Sequence, residues 1–217
     1  MRDRRAHDGR PSVVKAPFVA IARHRIQTDG QGVTTLCGFY GCRLRCKYCL
    51  NPQSFDEKTK TLALTPEELY ERVKIDDIYF VATNGGVTFG GGEPLLYADF
   101  LKRFRELCGD KWHLCAETSL NVDLESVKTA AECIDEFFVD IKDCDPEIYE
   151  SYTGKSNKTV ISNLQYLQKA VGSDRITVRV PLIKGFNTQA DRENSVALLK
   201  DIGIEKFDLF EYRIKEK

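Results

Sequence analysis

From Val33 onward, short apolar runs with a two-residue period alternate with stretches whose apolar residues return every three or four positions. The first pattern marks strands and the second amphipathic helices. Strands are predicted at VTTLCGFY (from Val33), GVTFG (from Gly86), WHLCAE (from Trp112), EFFVDIK (from Glu136), RITVRVPLI (from Arg175) and KFDLFEY (from Lys206). Helices are predicted between them, at LTPEELYERV, YADFLKRFREL, DLESVKTAAECI, SNLQYLQKAV and QADRENSVALLKDIG. The first has Thr65 as its cap, Pro66 at the first helical position and Glu67 and Glu68 in the first turn, which satisfy and complement the free N–H groups there. Gly203 supplies a stop for the last. Strand and helix alternating without a composition break predict a parallel sheet in a single α/β domain. Six strands fall short of the eight that close a barrel, so the expected architecture is an open, partial (β/α)6 barrel of the TIM type.

The opening MRDRRAHDGRPSVVK is polar and mixed in sign, so residues 1–16 are expected to form a flexible arm and 17–217 the core domain. Over 217 residues the net charge is -1, which offers no electrostatic reason for nucleic acid or a membrane surface as partner. No run has the length of a membrane span or the apolar core of a signal peptide. A cytoplasmic location is therefore expected, where the eight cysteines read as metal ligands or core thiols before disulfides.

Three of those cysteines fall within eight residues. GCRLRCKYCLNP spaces Cys42, Cys46 and Cys49 as Cys-x3-Cys-x2-Cys, just after the first predicted strand. Thiolates select zinc or iron–sulfur clusters. A zinc site wants a fourth ligand, and His7, His24 and His113 lie far off in sequence, although His24 could fold back. CRLRCKYC is too basic for a buried core segment. A [4Fe–4S] cluster on three thiolates would leave one iron open, the position a catalytic metal keeps for a small molecule. Cys37, Cys108, Cys115, Cys133 and Cys144 lack close-spaced partners and read as core thiols. The short distance from Cys49 to the next helix leaves no room for an inserted ferredoxin-like segment, so a single cluster is expected.

Later strands carry charge on one face. In FFVDIK, Phe137, Val139 and Ile141 oppose Phe138, Asp140 and Lys142; in ITVRVPL, Ile176, Val178 and Val180 oppose Thr177 and Arg179. The aliphatic faces pack under the helices, so Asp140, Lys142 and Arg179 point into the barrel, joined by Glu117 and Arg213. These charges could form a paired plug. They suit a zwitterionic ligand better, because buried ion pairs stabilise poorly and barrel enzymes place their chemistry at the C-terminal ends of strands. The Gly90–Gly92 run ends the second strand, giving a tight turn or a close backbone approach to a ligand.

Cys-x3-Cys-x-aromatic-Cys, with Tyr48 as the aromatic residue, resembles the signature of the radical S-adenosylmethionine (SAM) enzymes. TDGQGVTTLCGFYGCRLRCKYCLNP resembles DGPG…GC-x3-C-x2-C-H-N-P, and GGVTFGGGEPLL resembles GGVT-x-SGGEPLL. Both patterns belong to the glycyl-radical-enzyme activating enzymes, the pyruvate formate-lyase activase group, and the likeness runs from about Ala22 to Arg213. It implies that Cys42, Cys46 and Cys49 hold a [4Fe–4S] cluster whose open iron chelates SAM. Reductive cleavage then yields a 5′-deoxyadenosyl radical that takes a glycine Cα hydrogen from a partner glycyl radical enzyme. A flavodoxin or ferredoxin would be the electron donor. The resemblance implies SAM contacts from Tyr48, Leu50, Gly91, Gly92, Glu93, Asp140, Ile141, Lys142 and Arg179, a catalytic role for Asp29 and Lys142, and a monovalent cation near Glu117 and Thr118. Leu50 stands where the family usually has His, Glu117 where it has Asp, and Arg213, a further expected cofactor contact, where it has His. A radical SAM enzyme acting on a small molecule or peptide, and a non-catalytic iron–sulfur or zinc protein, are the other readings.

Overall fold

The computed structural model describes residues 14–26 and 29–212. The expected arm up to residue 13, and Arg213, lie outside the described residues.

All six predicted strands form one parallel array: β2 (Val33–Phe39), β4 (Gly86–Gly91), β5 (His113–Thr118), β6 (Glu136–Asp140), β7 (Ile176–Leu182) and β8 (Lys206–Glu211). Two strands that the apolar pattern did not predict extend it. β1 (Ala16–Ile26) pairs antiparallel with β2, and β3 (Leu62–Leu64) pairs antiparallel with β1. The eight-stranded sheet therefore runs β3-β1-β2-β4-β5-β6-β7-β8. β1 escaped the pattern because two register irregularities and a run of Arg23, His24 and Arg25 interrupt its alternation; a bulged strand near a sheet edge tolerates both.

The predicted helices are present as α1 (Pro66–Val73), α3 (Ala98–Cys108), α4 (Leu124–Cys133), α6 (Lys158–Val171) and α7 (Gln189–Asp201). Two short ones join them, α2 (Asp77–Thr83) and α5 (Pro146–Thr153). Thr65 closes a reciprocal capping box with Glu68: its hydroxyl accepts from the Glu68 N–H, and the Glu68 carboxylate accepts from the Thr65 N–H at 2.8 Å. Gly203 takes φ +94°, the left-handed region that ends α7.

The core lies between the sheet and the helices. Val87, Phe89, Leu114, Ala116, Phe137, Val139, Ile176 and Val178 are fully buried on the sheet's outer face. Phe18, Phe39, Phe89, Phe100 and Phe104 form a continuous run of ring contacts with centroids 4.5–5.9 Å apart. This packing fixes the ends of β2 and β4, from which the cysteine and glycine loops leave. The opposite, polar faces of the strands enclose the lumen.

Candidate active site

The cysteine loop leaves the C-terminal end of β2 and is held from several sides. Gly41 turns it at φ +101° and donates its N–H to the Ser54 carbonyl at 2.7 Å. The Arg45 and Lys47 N–H groups donate to the carbonyls of Thr153 and Tyr152 at the end of α5, at 3.0 and 3.1 Å. The Arg45 guanidinium folds back onto the Cys42 and Leu44 carbonyls at 2.6 and 2.8 Å and lies over the Phe55 ring. Leu44 is buried. The basic residues of the motif thus brace the loop from outside while its three cysteines line a cavity.

That cavity measures about 570 Å³, the size of a pocket for a cofactor-sized ligand. Its wall brings together residues of five parallel strands and of the turns that follow them. Gly91 and Gly92 come from β4 and the residue after it, Glu117 and Thr118 from β5, Asp140 and Lys142 from β6 and just beyond, and Arg179 and Asp208 from β7 and β8. Asp29, Leu50 and Tyr212 also line it. Gly91 adopts φ +87°, and a Cβ at Gly92 would stand 2.2 Å from the Gly41 carbonyl oxygen. Glycine is therefore required for the β4 turn to lie against the cysteine loop. The Glu93 N–H donates to that same carbonyl at 2.7 Å, and the Asn51 side-chain amide donates to the Gly91 carbonyl at 3.2 Å.

Charges inside the cavity are paired but not exhausted. Arg179 Nη1 meets Glu117 Oε1 at 2.7 Å and its Nε lies 3.7 Å from Asp208 Oδ2, with the guanidinium over the Phe138 ring at 4.9 Å. Lys142 Nζ lies 3.6 Å from Asp140 Oδ1 and 3.5 Å from the Tyr212 hydroxyl. Burial opposes the Lys142 charge, but Asp140, Tyr212 and Cys46 overcome it and hold the ammonium above the usual lysine range. Burial raises the Glu117 carboxyl, against the pull of Arg179.

Three expected contacts stand behind the wall. Glu93 is buried and accepts from the Thr118 hydroxyl (2.6 Å), the Ser119 N–H (2.9 Å) and hydroxyl (2.6 Å), and the Leu95 N–H (3.2 Å). It ties the glycine loop to the end of β5 and does not line the cavity. Ile141 is fully buried on the helix side of the sheet, its N–H donating to the Arg179 carbonyl. Tyr48 packs edge-on against Tyr152 and Phe186 instead of lining the cavity. Asp29 precedes β2 yet folds inward, held by Arg25, and its carbonyl accepts from the Thr88 hydroxyl. Sequence reasoning missed Arg25, Asp208, Phe210 and Tyr212. Asp208, Phe210 and Tyr212 had one signal, their shared parity along the predicted strand KFDLFEY; Arg25 had none.

The cysteine set fits an iron–sulfur cluster better than a single ion. All eight cysteines are free thiols. Among the described residues, the one trio of His, Cys or carboxylate groups with ligand atoms close enough for one ion lies elsewhere, so the motif thiols are spread wider than a zinc site. Burial holds Cys42 up at about 12 and Cys46 at about 11; positive iron must displace those protons on binding. His24, the zinc alternative, is engaged with Asp76 at 3.0 Å.

Residues 37–204 match the Radical SAM superfamily, most of the chain's length and all three motif cysteines. The chain belongs to the radical SAM superfamily. Membership implies a [4Fe–4S] cluster and SAM as cofactors. Several curated relatives are activating enzymes. A pyruvate formate-lyase-activating enzyme of Staphylococcus aureus is 30% identical, over 85% of this chain and 76% of that protein. A 4-hydroxyphenylacetate decarboxylase activating enzyme of Clostridioides difficile is 29% identical (77% and 72% covered), and a (2S)-3-sulfopropanediol dehydratase activating enzyme of Klebsiella oxytoca 26% (81% and 74%). This radical SAM enzyme is thus a homologue of the glycyl-radical-enzyme activases, and such a partner is what its relatives imply. In fold it is similar to Streptococcus suis SuiB, solved bound to S-adenosylmethionine, with a TM-score of 0.62 and 17% identity over 82% of this chain; the chain spans 41% of SuiB. Among the described residues, no helix is long and apolar enough to cross a membrane.

Proposed function

We propose that this enzyme activates a glycyl radical enzyme by removing one hydrogen atom from a glycine Cα of that partner. The observation that carries the reading is the shared wall: three thiols, the Gly91–Gly92 backbone and a set of carboxylates and cations line one cavity of about 570 Å³. Cys42, Cys46 and Cys49 would hold the cluster, which when bound supplies the electron that cleaves SAM to methionine and a 5′-deoxyadenosyl radical. The Gly91 and Gly92 backbone, Asp140, Lys142 and Arg179 would grip the amino, carboxylate and ribose groups of SAM. Glu93 would hold the glycine turn through its four donors, Ile141 would set the strand end, and Tyr48 would seat the loop on Tyr152. Leu50, 67% exposed at the lip, would contact the partner's side of the ligand. A monovalent cation beside Glu117 and Thr118 would share the carboxylate with Arg179. We assign the electron supply to a flavodoxin or ferredoxin and the setting to the cytoplasm.

Glycine suits the substrate position because its missing side chain lets a loop backbone approach the adenosyl carbon closely. Asp29, buried and lining the cavity, is placed to orient that loop. With a glycine-centred peptide of the partner deuterated at Cα, deuterium is expected in 5′-deoxyadenosine, together with a glycyl radical signal. Asp29→Ala should reduce the transfer and leave SAM binding intact. Label transfer from a small metabolite, with none from any partner peptide, would overturn the proposal.

A further inference from the structure

A second cluster of ligating side chains lies at the other end of the lumen. His113 opens β5, Cys115 follows on the same strand face, and Glu136 opens β6 in register with Cys115. The imidazole nitrogen, thiol sulfur and carboxylate oxygen lie within 4.8 Å of one another. His113 Nε2 is 3.5 Å and Cys115 Sγ 4.0 Å from Glu136 Oε2. None of the three lines the large cavity. We infer that His113, Cys115 and Glu136 bind a borderline divalent transition-metal ion, zinc foremost, at the N-terminal end of the barrel.

The geometry is close to what such an ion needs. Tetrahedral zinc with bonds of about 2.0–2.3 Å sets its ligand atoms about 3.4–3.7 Å apart. The His113–Glu136 separation already matches; Cys115 must close by a few tenths of an ångström on Glu136 and, starting within 4.8 Å of His113, by at most about 1 Å on the imidazole. The donor set of one sulfur, one nitrogen and one oxygen suits zinc and cobalt over magnesium or calcium. Charge supports the reading too. Among the described residues, no Lys or Arg pairs with the Glu136 carboxylate, although its side chain is only 24% exposed. A dication would balance that carboxylate and the Cys115 thiolate, the thiol releasing its proton to solvent as it ligates. On the far side of the ring, His113 Nδ1 faces the Asp135 carboxylate at 3.9 Å, the arrangement in which a carboxylate orients a metal-bound imidazole. Asp135 is itself fixed by Arg105 and by the Leu114 N–H at 2.7 Å.

Access is from one side. Cys115 is fully buried, and the backbone at Gly30 covers its sulfur so closely that a Cβ there would come within 3.0 Å. His113 and Glu136 are partly exposed, which leaves the fourth position to water from the N-terminal end. An ion here would join β5 to β6 and firm the floor under Gly30, next to Asp29.

The test uses cluster-reconstituted enzyme, whose motif thiols are occupied, exposed to one equivalent of Zn2+ and desalted. One zinc per chain beyond the iron is expected. X-ray absorption at the zinc edge should show one sulfur at about 2.3 Å and the remaining ligands nitrogen or oxygen at about 2.0–2.1 Å. His113→Ala and Cys115→Ser should weaken zinc in chelator competition by at least the about 10–100-fold that loss of an outer-shell partner costs. Glu136→Gln, which keeps shape, should weaken it also. No zinc retained by the wild-type holoenzyme overturns the inference whatever the variants do. So does a shell of three or four sulfurs, which places the ion at the cysteine loop, or undiminished binding in the variants.

Discussion

Gly92 is the position where one added carbon should most damage the site. Its Cβ would meet the Gly41 carbonyl oxygen at 2.2 Å and the Phe39 carbonyl oxygen at 3.0 Å, both backbone atoms that cannot swing aside. Relief to even 3.0 Å requires the two loops to part by most of an ångström. That movement breaks two hydrogen bonds, Gly92 N–H to Phe39 (2.9 Å) and Glu93 N–H to Gly41 (2.7 Å). A buried polar group left unpaired costs about 1–3 kcal/mol, so Gly92→Ala should lose about 2–4 kcal/mol. At this chain length that corresponds to roughly 5–15 °C in melting temperature. Gly185→Ala separates strain from collision: its φ is +84° but nothing lies within 4 Å of the added carbon, so only about 1 kcal/mol of backbone strain is expected. Because Gly41 precedes Cys42, the Gly92 variant should also take up less iron. Anaerobic calorimetry and iron content after reconstitution measure both effects. If Gly92→Ala melts no lower than Gly185→Ala and carries full iron, the close approach of the two loops is not what holds the site.

Removing Arg179 tests whether the lumen charges serve a ligand or only each other. Arg179→Met leaves Glu117 without its 2.7 Å partner and should cost about 1–2 kcal/mol, less than a fully buried pair because the cavity admits water; adding Glu117→Gln should restore most of that stability. SAM binding should stay weak in both variants, and unchanged affinity would establish the paired-plug reading instead. Asp76, fully buried at the foot of the sheet, accepts from Arg23 Nε at 2.7 Å and contacts His24 at 3.0 Å. Its carboxyl is held below the usual range by the Arg23 hydrogen bonds first and His24 second. A depressed folded-state pKa stabilises above the unfolded value of about 4 and is lost as pH falls through the lower folded value. Asp76→Asn should therefore cost about 1–2 kcal/mol at neutral pH, with Arg23 partly exposed, and the difference should begin to shrink as pH falls through about 4 and close only below the folded-state value. A constant difference down to pH 3 would show that the loss is packing rather than charge.

The local patterns determined much of this protein by themselves. Alternation in β2 and β4 to β8, the Thr65 capping box and the stop at Gly203 are short-range effects, and short-range effects are legible without a fold. The same holds for the thiol spacing and the glycine run, because a loop of eight residues is its own geometry. Parity along a strand also put Asp140, Lys142, Glu117 and Arg179 on one face, and all four line the cavity. Other features required the chain to return on itself. β1 became a strand only because β2 and β3 offer it partners on both sides, which outweighs an interrupted pattern. Tyr212 lies 70 residues from Lys142 in sequence, and Arg25 and Asp208 come from opposite ends of the chain to one wall. Glu93, Ile141 and Tyr48 share motifs with cavity residues, yet the direction in which each Cα–Cβ bond points places them behind it. The trio at the lumen floor was invisible for the same reason: Cys115 and Glu136 stand 21 positions apart, and only the pairing of β5 with β6 makes them neighbours. Local chemistry is written in consecutive residues. Which chemistries meet is set by strand order and register, and those depend on burying the whole apolar face at once.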